Sequence, residues 1–282
     1  MNRPAALSFS VFRGSMAISE GHLSVKELRS KAWRQIRQDV YVDARLTLDH
    51  AVACHAAALV LPDDICFSGP SAAYLMGVAH AAHYEDDVQL TIAPGAHLPK
   101  RTGVRVRTSP LPVIDCDWAG GLQVTSPART AWDLGASLPV WRSVPIIDAL
   151  LGLALITSHE LHGYAQPRVS RRGGRNAERA FGLADGRART PEASRLRLAV
   201  LAAGLPEPTP HHPVSFSGRV RTPELAWPKQ RVGVAFPTDD GRYSDADWIV
   251  VRVDPDDFDA QLPGALRDLR AALLGRGWQG QP

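Results

Sequence analysis

Residues 125–134 read T-S-P-A-R-T-A-W-D-L, and they follow a short strand-like segment at 120–125. Ser126 is a preferred N-cap residue and Pro127 suits the first helical position, so a helix is predicted to begin here. Trp132 has the largest side chain on the apolar face of that helix, and we expect it to be buried. The other apolar residues of this face are Ala128, Ala131 and Leu134.

Arg129 and Asp133 are four residues apart on this helix, a spacing at which opposite charges can pair. No nucleophile, phosphate-binding loop or Ser/His/Asp set accompanies them. We therefore interpret the pair as a structural clamp, with catalysis as the less favoured alternative.

The composition favours an intracellular protein of two domains. The chain has 282 residues, of which 45% are apolar, enough for one large core or two smaller ones. The longest apolar block, 144–156, is interrupted by Pro145, Asp148 and Gly152, so no membrane span is predicted. Residues 1–15 have no continuous apolar segment of the kind that signal peptides carry. A cytoplasmic location follows as the expectation.

The three cysteines, Cys54, Cys66 and Cys116, are an odd number at unrelated spacings. Neither a disulfide framework nor a zinc site is suggested, and all three are predicted to be small core residues. The adjacent His211 and His212 precede a predicted strand, where neighbouring side chains point to opposite faces. We therefore favour a loop at this position over a metal site.

The net charge of +3 is modest, but the charges are unevenly distributed. Nine arginines fall within 168–197, and eight aspartates fall within 239–259. The basic stretch could contact phosphates or could simply keep the surface hydrated, and the sequence leaves both alternatives open.

A basic helix and ribbon are predicted near the N-terminus. Ser24 and Glu27 have capping-box spacing, and the alternating residues 33–42 predict a two-stranded ribbon. Five cations, the candidate DNA-binding residues, lie on these elements: Lys26, Arg29, Lys31, Arg34 and Arg37. A winged helix-turn-helix presents such residues to DNA phosphates, whereas a solvated basic helix that caps a core is the alternative.

The middle of the chain mixes predicted helices and strands. Residues 48–60 suit a helix, and Ser71 is the expected N-cap of the next one. Residues 88–92 and 104–107 flank a turn rich in Pro and Gly, which favours an antiparallel pair. Residues 168–174 have no apolar periodicity and are the best candidate for a linker.

After the linker, Thr190 and Pro191 predict the start of a helix that ends at Gly204. Strand-like segments follow, and a helix is expected at 262–274. These strands are predicted at 213–216, 222–227, 231–236 and 247–253. This order of elements indicates an α/β domain.

Several phrases occur in the order that one large actinobacterial group of proteins shows. They are D-V-Y-V at 39–42, S-G-P-S-A-A-Y-L-M-G at 68–77, T-S-P-A-R-T-A-W-D-L at 125–134, T-P-E-A-S-R-L-R-L and A-G-L-P within 188–206, and E-L-A-W-P at 224–228. The chain therefore resembles proteins that join a type IV abortive-infection antitoxin-like part to a Vsr-like endonuclease-fold domain. The resemblance implies a DNA-binding regulator of its own operon, with DNA and a cognate toxin as partners.

The C-terminal part resembles PD-(D/E)XK nucleases, which hold a divalent metal ion with a helix carboxylate and two strand acids. Glu192 matches the helix carboxylate, and Glu224 stands where the family has aspartate. Ala235 and Pro237 occupy the remaining acidic positions, so no metal site is predicted. Mg²⁺ would be needed only if the site were active, with a ligand from residues 239–240. Otherwise Arg195 or Arg197 is expected to neutralise the two glutamates.

The predicted fold is α/β, with an α+β front part. It comprises a winged-helix-like segment at 1–47, an antitoxin-like α+β domain at 48–167, a basic linker at 168–186 and a degenerate endonuclease-like domain at 187–282. The favoured function is a DNA-binding, antitoxin-like regulator whose nuclease-fold domain is inactive. A metal-dependent nuclease with displaced ligands and a protein-interaction module that binds a cognate toxin are the alternatives.

Overall fold

The computed structural model describes residues 3–62, 65–216, 219–236 and 247–280, and these form two compact units, Met1–Leu134 and Gly135–Pro282. Both units combine helices with sheets, so the predicted mixed α and β character is confirmed. Across the described residues, no helix has the length and apolar character that crossing a membrane requires.

The first unit opens with a small three-stranded antiparallel sheet of order β1-β3-β2. Its elements are β1 (Val11–Arg13), α1 (Gly14–Ser19), α2 (Val25–Leu28), β2 (Trp33–Arg37) and β3 (Val40–Asp43). Phe12 meets Trp33 edge-on, with ring centroids 5.2 Å apart, in a core that also buries Leu28. The predicted ribbon is therefore present, and its two strands turn at residues 38–39.

The rest of this unit is built on a five-stranded mixed sheet of order β6-β5-β4-β8-β7. The elements are α3 (His50–Ala58), β4 (Cys66–Phe67), α4 (Gly69–Leu75), β5 (Val88–Ile92), β6 (Val104–Thr108), β7 (Cys116–Ala119), β8 (Leu122–Thr125) and α5 (Pro127–Ser137). Phe67, Leu90 and Val124, from three neighbouring strands, are buried in its core with Ala53 of α3.

The predicted antiparallel pairing of 88–92 with 104–107 is wrong. Val88 pairs with Val104 and Ile92 with Thr108, so β5 and β6 run parallel. A tight turn cannot join parallel strands, because the chain must first return to the starting edge. Residues 93–103 make that return, and their Pro and Gly residues belong to a crossover connection.

Ser71 is also not the N-cap that the sequence predicts. Helix α4 begins at Gly69, after Ser68, so that Ser71 lies inside the helix and is fully buried. Its hydroxyl bonds His50 Nε2 at 2.8 Å and accepts a hydrogen bond from the backbone amide of Gln89 at 2.8 Å. Ser71 thus links α3, α4 and β5 in the core.

Two of the three cysteines fit the prediction of small core residues. Cys54 and Cys66 are buried, whereas Cys116 is half-buried, and all three are free thiols. Burial raises the pKa of both the Cys54 and the Cys66 thiol to about 12, so neither is a ready nucleophile.

The second unit contains helices at both ends and two sheets between them. Its elements are α6 (Val140–Gly152), α7 (Ser158–Ala165), α8 (Gly174–Leu183), α9 (Pro191–Ala202), β9 (Thr209–Pro210), β10 (Val214–Phe216), β11 (Arg219–Arg221), β12 (Leu225–Trp227), β13 (Val232–Ala235), β14 (Ile249–Arg252) and α10 (Phe258–Gly275). Strands β10 and β11 form a hairpin, and the larger sheet has the order β14-β13-β12-β9.

Helices α9 and α10 pack with the larger sheet around one core. Leu196 from α9, Val234 from β13 and Leu269 from α10 are fully buried there. The indole nitrogen of Trp227 donates to the Pro206 carbonyl at 2.7 Å, which satisfies its only polar atom. Strands β12 and β13 are antiparallel, and β13 and β14 are parallel.

The predicted basic linker at 168–186 is largely a packed helix. Helix α8 occupies Gly174–Leu183, with Ala177, Ala180 and Phe181 buried against neighbouring helices of the same unit. The short linker candidate at 168–174 showed no periodicity because the apolar face of α8 begins only after it. The chain divides instead at Leu134 and Gly135, within α5.

Candidate nucleic-acid interface

Helix α2 is short, and its N-terminal end is fixed by side chains. The Ser24 hydroxyl accepts from the Glu27 amide at 3.2 Å, and the Glu27 carboxylate accepts from the Ser24 amide at 2.8 Å, which completes the predicted capping box. The hydrogen bond from the Ser24 amide, followed by one from the Ser24 hydroxyl, lowers the pKa of the Glu27 carboxyl. Leu28 is buried, so Lys26 and Arg29 are left exposed on the other side.

The β2–β3 ribbon exposes the candidate residue Arg34 on its surface. Trp33 is buried and Arg34 is exposed, as expected for alternate residues of a strand. Arg34 Nη2 donates to the backbone carbonyl of Leu46 at 3.0 Å. A neutral carbonyl holds the guanidinium in place without cancelling its charge.

Arg37 ties the end of the ribbon to the sheet of the same unit. Its Nη1 donates to the Thr102 carbonyl at 3.2 Å, and its guanidinium lies over Gly103. Gly103 has a φ of +73°, and a Cβ there would lie 3.0 Å from Arg37 Nη2. Glycine is therefore suited to this position both by its backbone conformation and by the close approach of the arginine.

The turn of the ribbon is held by Asp39, which has a φ of 57°. Its carboxylate accepts from the Ser15 amide at 2.8 Å and hydroxyl at 2.5 Å, and from Arg13 Nε at 3.2 Å. The Ser15 hydroxyl hydrogen bond is the main reason why the pKa of Asp39 is lowered. Local sequence patterns do not reveal this contact, because residues 13–15 and Asp39 are distant along the chain.

Behind the ribbon, Asp43 is completely buried and neutralises two other arginines. Arg45 Nη2 lies 2.5 Å and Arg3 Nε 3.3 Å from its carboxylate. Hydrogen bonds from Arg45 are the largest cause of the lowered pKa of Asp43.

The cations of this region thus fall into two groups. Those near Asp39 and Asp43 are paired with acids. The five predicted DNA-binding residues, Lys26, Arg29, Lys31, Arg34 and Arg37, form no ion pair with any residue that the structure describes, and all but the half-buried Arg37 are exposed.

The acids predicted from the nuclease resemblance lie in the second unit. Glu192 is half-buried in the first turn of α9, and Glu224 is half-buried just before β12. The Glu224 carboxylate lies 3.9 Å from His211 Nε2. Within the described ranges, no group of three or more His, Cys, Asp or Glu residues could hold a metal ion.

The arginines expected to neutralise these glutamates are paired elsewhere. Arg195 pairs with Asp259 and lies over the Phe258 ring. Arg197 Nη2 pairs with the buried carboxylate of Asp148 at 2.8 Å. The expectation was wrong because sequence spacing along α9 does not reveal acids contributed by α6 and α10.

The other residues singled out near this site are structural. Ala235 is 1% exposed on β13, at one of the positions where the nuclease resemblance places an acid. His211 and His212 lie in a turn and loop after β9, as predicted, and His212 stacks on Trp248. Pro237 and residues 239–240 lie outside the described residues.

Helix α5, which we call the signature helix because it contains most of the T-S-P-A-R-T-A-W-D-L phrase, carries a buried charge cluster. Arg129 Nε donates to Asp133 Oδ2 at 3.0 Å, so the predicted pair is present. Arg129 Nη1 also reaches Asp115 Oδ2 at 3.3 Å and the Pro110 carbonyl at 2.9 Å, while Arg107 bonds Asp133 at 3.0 Å. This network joins α5 to the chain before β7 and to β6, which supports a structural role for the signature.

The sequence around this cluster matches a known family. Residues 65–185 match the AbiEi antitoxin C-terminal domain. The match begins just before β4 and ends at Asp185, two residues after α8, and it spans less than half of the chain. It includes the signature helix, but neither the ribbon nor the acids at Glu192 and Glu224.

Two curated relatives are the uncharacterized proteins MT2308 and Rv2248 of two Mycobacterium tuberculosis strains. Each is 28% identical to this chain over 176 residues, which cover 60% of the chain and 64% of the relative. The chain therefore spans less than two thirds of their length. The crystal structure of the RV2827C protein from Mycobacterium tuberculosis is similar with a TM-score of 0.40 and 17% identity, over 69% of this chain and 76% of that one.

Proposed function

We propose that this protein is a DNA-binding, antitoxin-like regulator whose α2 helix and β2–β3 ribbon act as a winged helix. The observation that carries the proposal is a set of five cations on α2, on β2 and in the turn between them, none of which forms an ion pair with a described residue. The AbiEi match supports the antitoxin-like role.

Phosphate binding follows from the chemistry of these side chains. Exposed Lys and Arg gain affinity for DNA by releasing counterions from its phosphates. Arg34 and Arg37 are already held by the carbonyls of Leu46 and Thr102, so they lose less rotamer freedom on binding. Lys26, Arg29 and Lys31 extend the charge beyond the ribbon.

The C-terminal domain is proposed to have an endonuclease-like fold without cleavage activity. The proposal is supported by the element order, since a capped helix, several strands and a closing strand and helix follow one another as in the resemblance. Ala235 offers no metal ligand, and the Glu224 carboxylate faces His211. A cognate toxin is the proposed protein partner, and the match to the AbiEi antitoxin domain is what supports it.

The test is a titration of duplex DNA at several salt concentrations. Replacing Arg34 and Arg37 by alanine should weaken binding and flatten the plot of log affinity against log salt by about one to two units. The triple variant Lys26→Gln, Arg29→Gln, Lys31→Gln should flatten it by about two to three units, and it leaves the carbonyl contacts of the ribbon intact.

Lys229→Gln is the matched control, because Lys229 is an exposed cation in the other unit. It should leave the slope unchanged. Equal slopes for the native protein, the Arg34 and Arg37 variant and the triple variant would remove DNA from the partners of this segment.

A further inference from the structure

An apolar groove opens on the surface of the second unit, and neither Glu192 nor Glu224 is among the residues that line it. Its volume is about 560 Å³, and helices α6, α8, α9 and α10 line it. Its lining residues are Val140, Trp141, Arg179, Leu183, Arg195, Leu198, Ala199, Leu201, Ala202, Phe258 and Leu262. Nine of these eleven residues are apolar, a composition typical of small-molecule sites.

The groove leaves a large aromatic side chain uncovered. Trp141 is 60% exposed at the start of α6, although Phe258 and Leu198 in the same groove are buried. Burying an indole removes a large apolar area from water, so a molecule that covers Trp141 would gain free energy. Volumes of about 300–1,000 Å³ are usual for pockets that hold such molecules.

Among the described residues of the lining, two arginines are charged. Arg195 is already paired with Asp259. Arg179 is exposed on α8 and forms no ion pair with any described residue. The groove therefore pairs an apolar floor with one uncompensated cation, which selects a ligand that has an apolar body and an anionic head.

A protein partner fits this groove less well. Stable protein interfaces use roughly 20–30 residues from each side, whereas eleven residues line the groove. A short, pocket-shaped apolar site with one cation instead has the scale of a small organic anion.

We propose that this groove binds a small amphipathic anion, an aromatic or aliphatic carboxylate or sulfonate, with its head on Arg179 and its body against Trp141 and Leu198. Binding needs no change in covalent structure and no metal ion. The proposal concerns the second unit alone and is independent of whether the ribbon binds DNA.

A pair of fluorescent probes tests the proposal on the full-length protein. The probe 1-anilinonaphthalene-8-sulfonate has an aromatic body and an anionic head, and N-phenyl-1-naphthylamine has the same body without the charge. We expect saturable one-to-one binding of the sulfonate, and displacement by decanoate. Arg179→Gln should weaken sulfonate binding about tenfold, the size of one charge-assisted hydrogen bond, and leave the neutral probe unaffected.

Two further variants locate the site. Trp141→Ala should weaken both probes, and because Trp141 is mostly exposed the fold should survive its loss. Arg175→Gln is the matched control, since Arg175 is exposed one turn earlier on α8 but does not line the groove. It should change neither affinity.

The proposal is overturned if Arg179→Gln and Arg175→Gln have equal effects, or if Trp141→Ala leaves both probes bound as before. It is also overturned if decanoate fails to displace the sulfonate and only a peptide or protein does so. Circular dichroism and thermal midpoints establish that each variant is folded when its affinity is measured.

Discussion

At the scale of single residues, Asp148 shows how a buried charge is kept in place. Its side chain is 1% exposed in α6, and burial raises the pKa of its carboxyl. It accepts hydrogen bonds from the Asp185 amide at 2.6 Å, from Ser194 Oγ at 2.7 Å and from Arg197 Nη2 at 2.8 Å. Only Arg197 supplies an opposite charge in this set.

Removing that arginine should be costly. Arg197→Met leaves Asp148 buried without its counter-charge, and we expect the free energy of unfolding to fall by about 3–5 kcal/mol. Adding Asp148→Leu should restore a large part of this loss, because no buried charge then remains. Urea denaturation of both single variants and the double variant measures the coupling free energy between Arg197 and Asp148. Additive losses would show that the two side chains act independently.

Trp132 is the other residue whose role rests on burial. It lies on α5 and is 6% exposed, as predicted from its position on the apolar face. Trp132→Ala should lower the free energy of unfolding by about 3–5 kcal/mol. Trp141→Ala, at a largely exposed tryptophan, provides the comparison and should cost far less. Similar losses for the two variants would contradict a core role for Trp132.

At the scale of elements, capped helices were the most predictable part of the fold. Thr190 accepts from the Ala193 amide and Pro191 starts α9, and Ser126 and Pro127 start α5 in the same manner. These signals lie within a few residues, so the sequence alone carries them. The parallel pairing of β5 with β6 and the Arg197–Asp148 contact depend on residues far apart along the chain. Local patterns contain no information on either.

The hydrogen bond between His50 of α3 and Ser71 of α4 makes the free energy of unfolding depend on pH. His50 Nδ1 lies 2.7 Å from the His83 carbonyl and must donate to it, so Nε2 accepts from Ser71. Burial lowers the pKa of His50, although Asp86 and Asp49 oppose the shift. A protonated His50 could not accept from Ser71.

The sign of the effect follows from that lowered pKa. Between the folded-state pKa and the unfolded value of about 6.5, the unfolded chain binds more protons. The stability that neutral His50 contributes is therefore fully present above about pH 6.5, and this contribution is lost as the pH falls below that value. Urea denaturation at pH 7.5, 6.5 and 5.5 should show this decline, and His50→Gln should make it shallower. An unchanged slope in the variant would exclude His50 as a source of the decline.

At the scale of the whole molecule, the absence of cleavage is the central prediction for the C-terminal domain. Incubation with single- and double-stranded DNA and RNA, with Mg²⁺ or Mn²⁺, should give no metal-dependent products. Glu192 and Glu224 alone provide too few ligands for a divalent ion. Glu192→Ala is the paired control. Metal-dependent cleavage by the native protein that disappears in this variant would mean that a third ligand completes the site.

Helix α8 also limits the rate at which trypsin can cleave the chain after Arg175 and Arg179. Trypsin cuts after arginine, but it requires an extended backbone, and Arg175 and Arg179 are fixed in a helix whose Phe181 is buried. Cleavage at these two sites must therefore wait for the helix to open, which costs free energy each time. An unstructured segment with the same sequence would be open to trypsin at Arg175 and Arg179 at once, whereas the folded helix protects these two bonds.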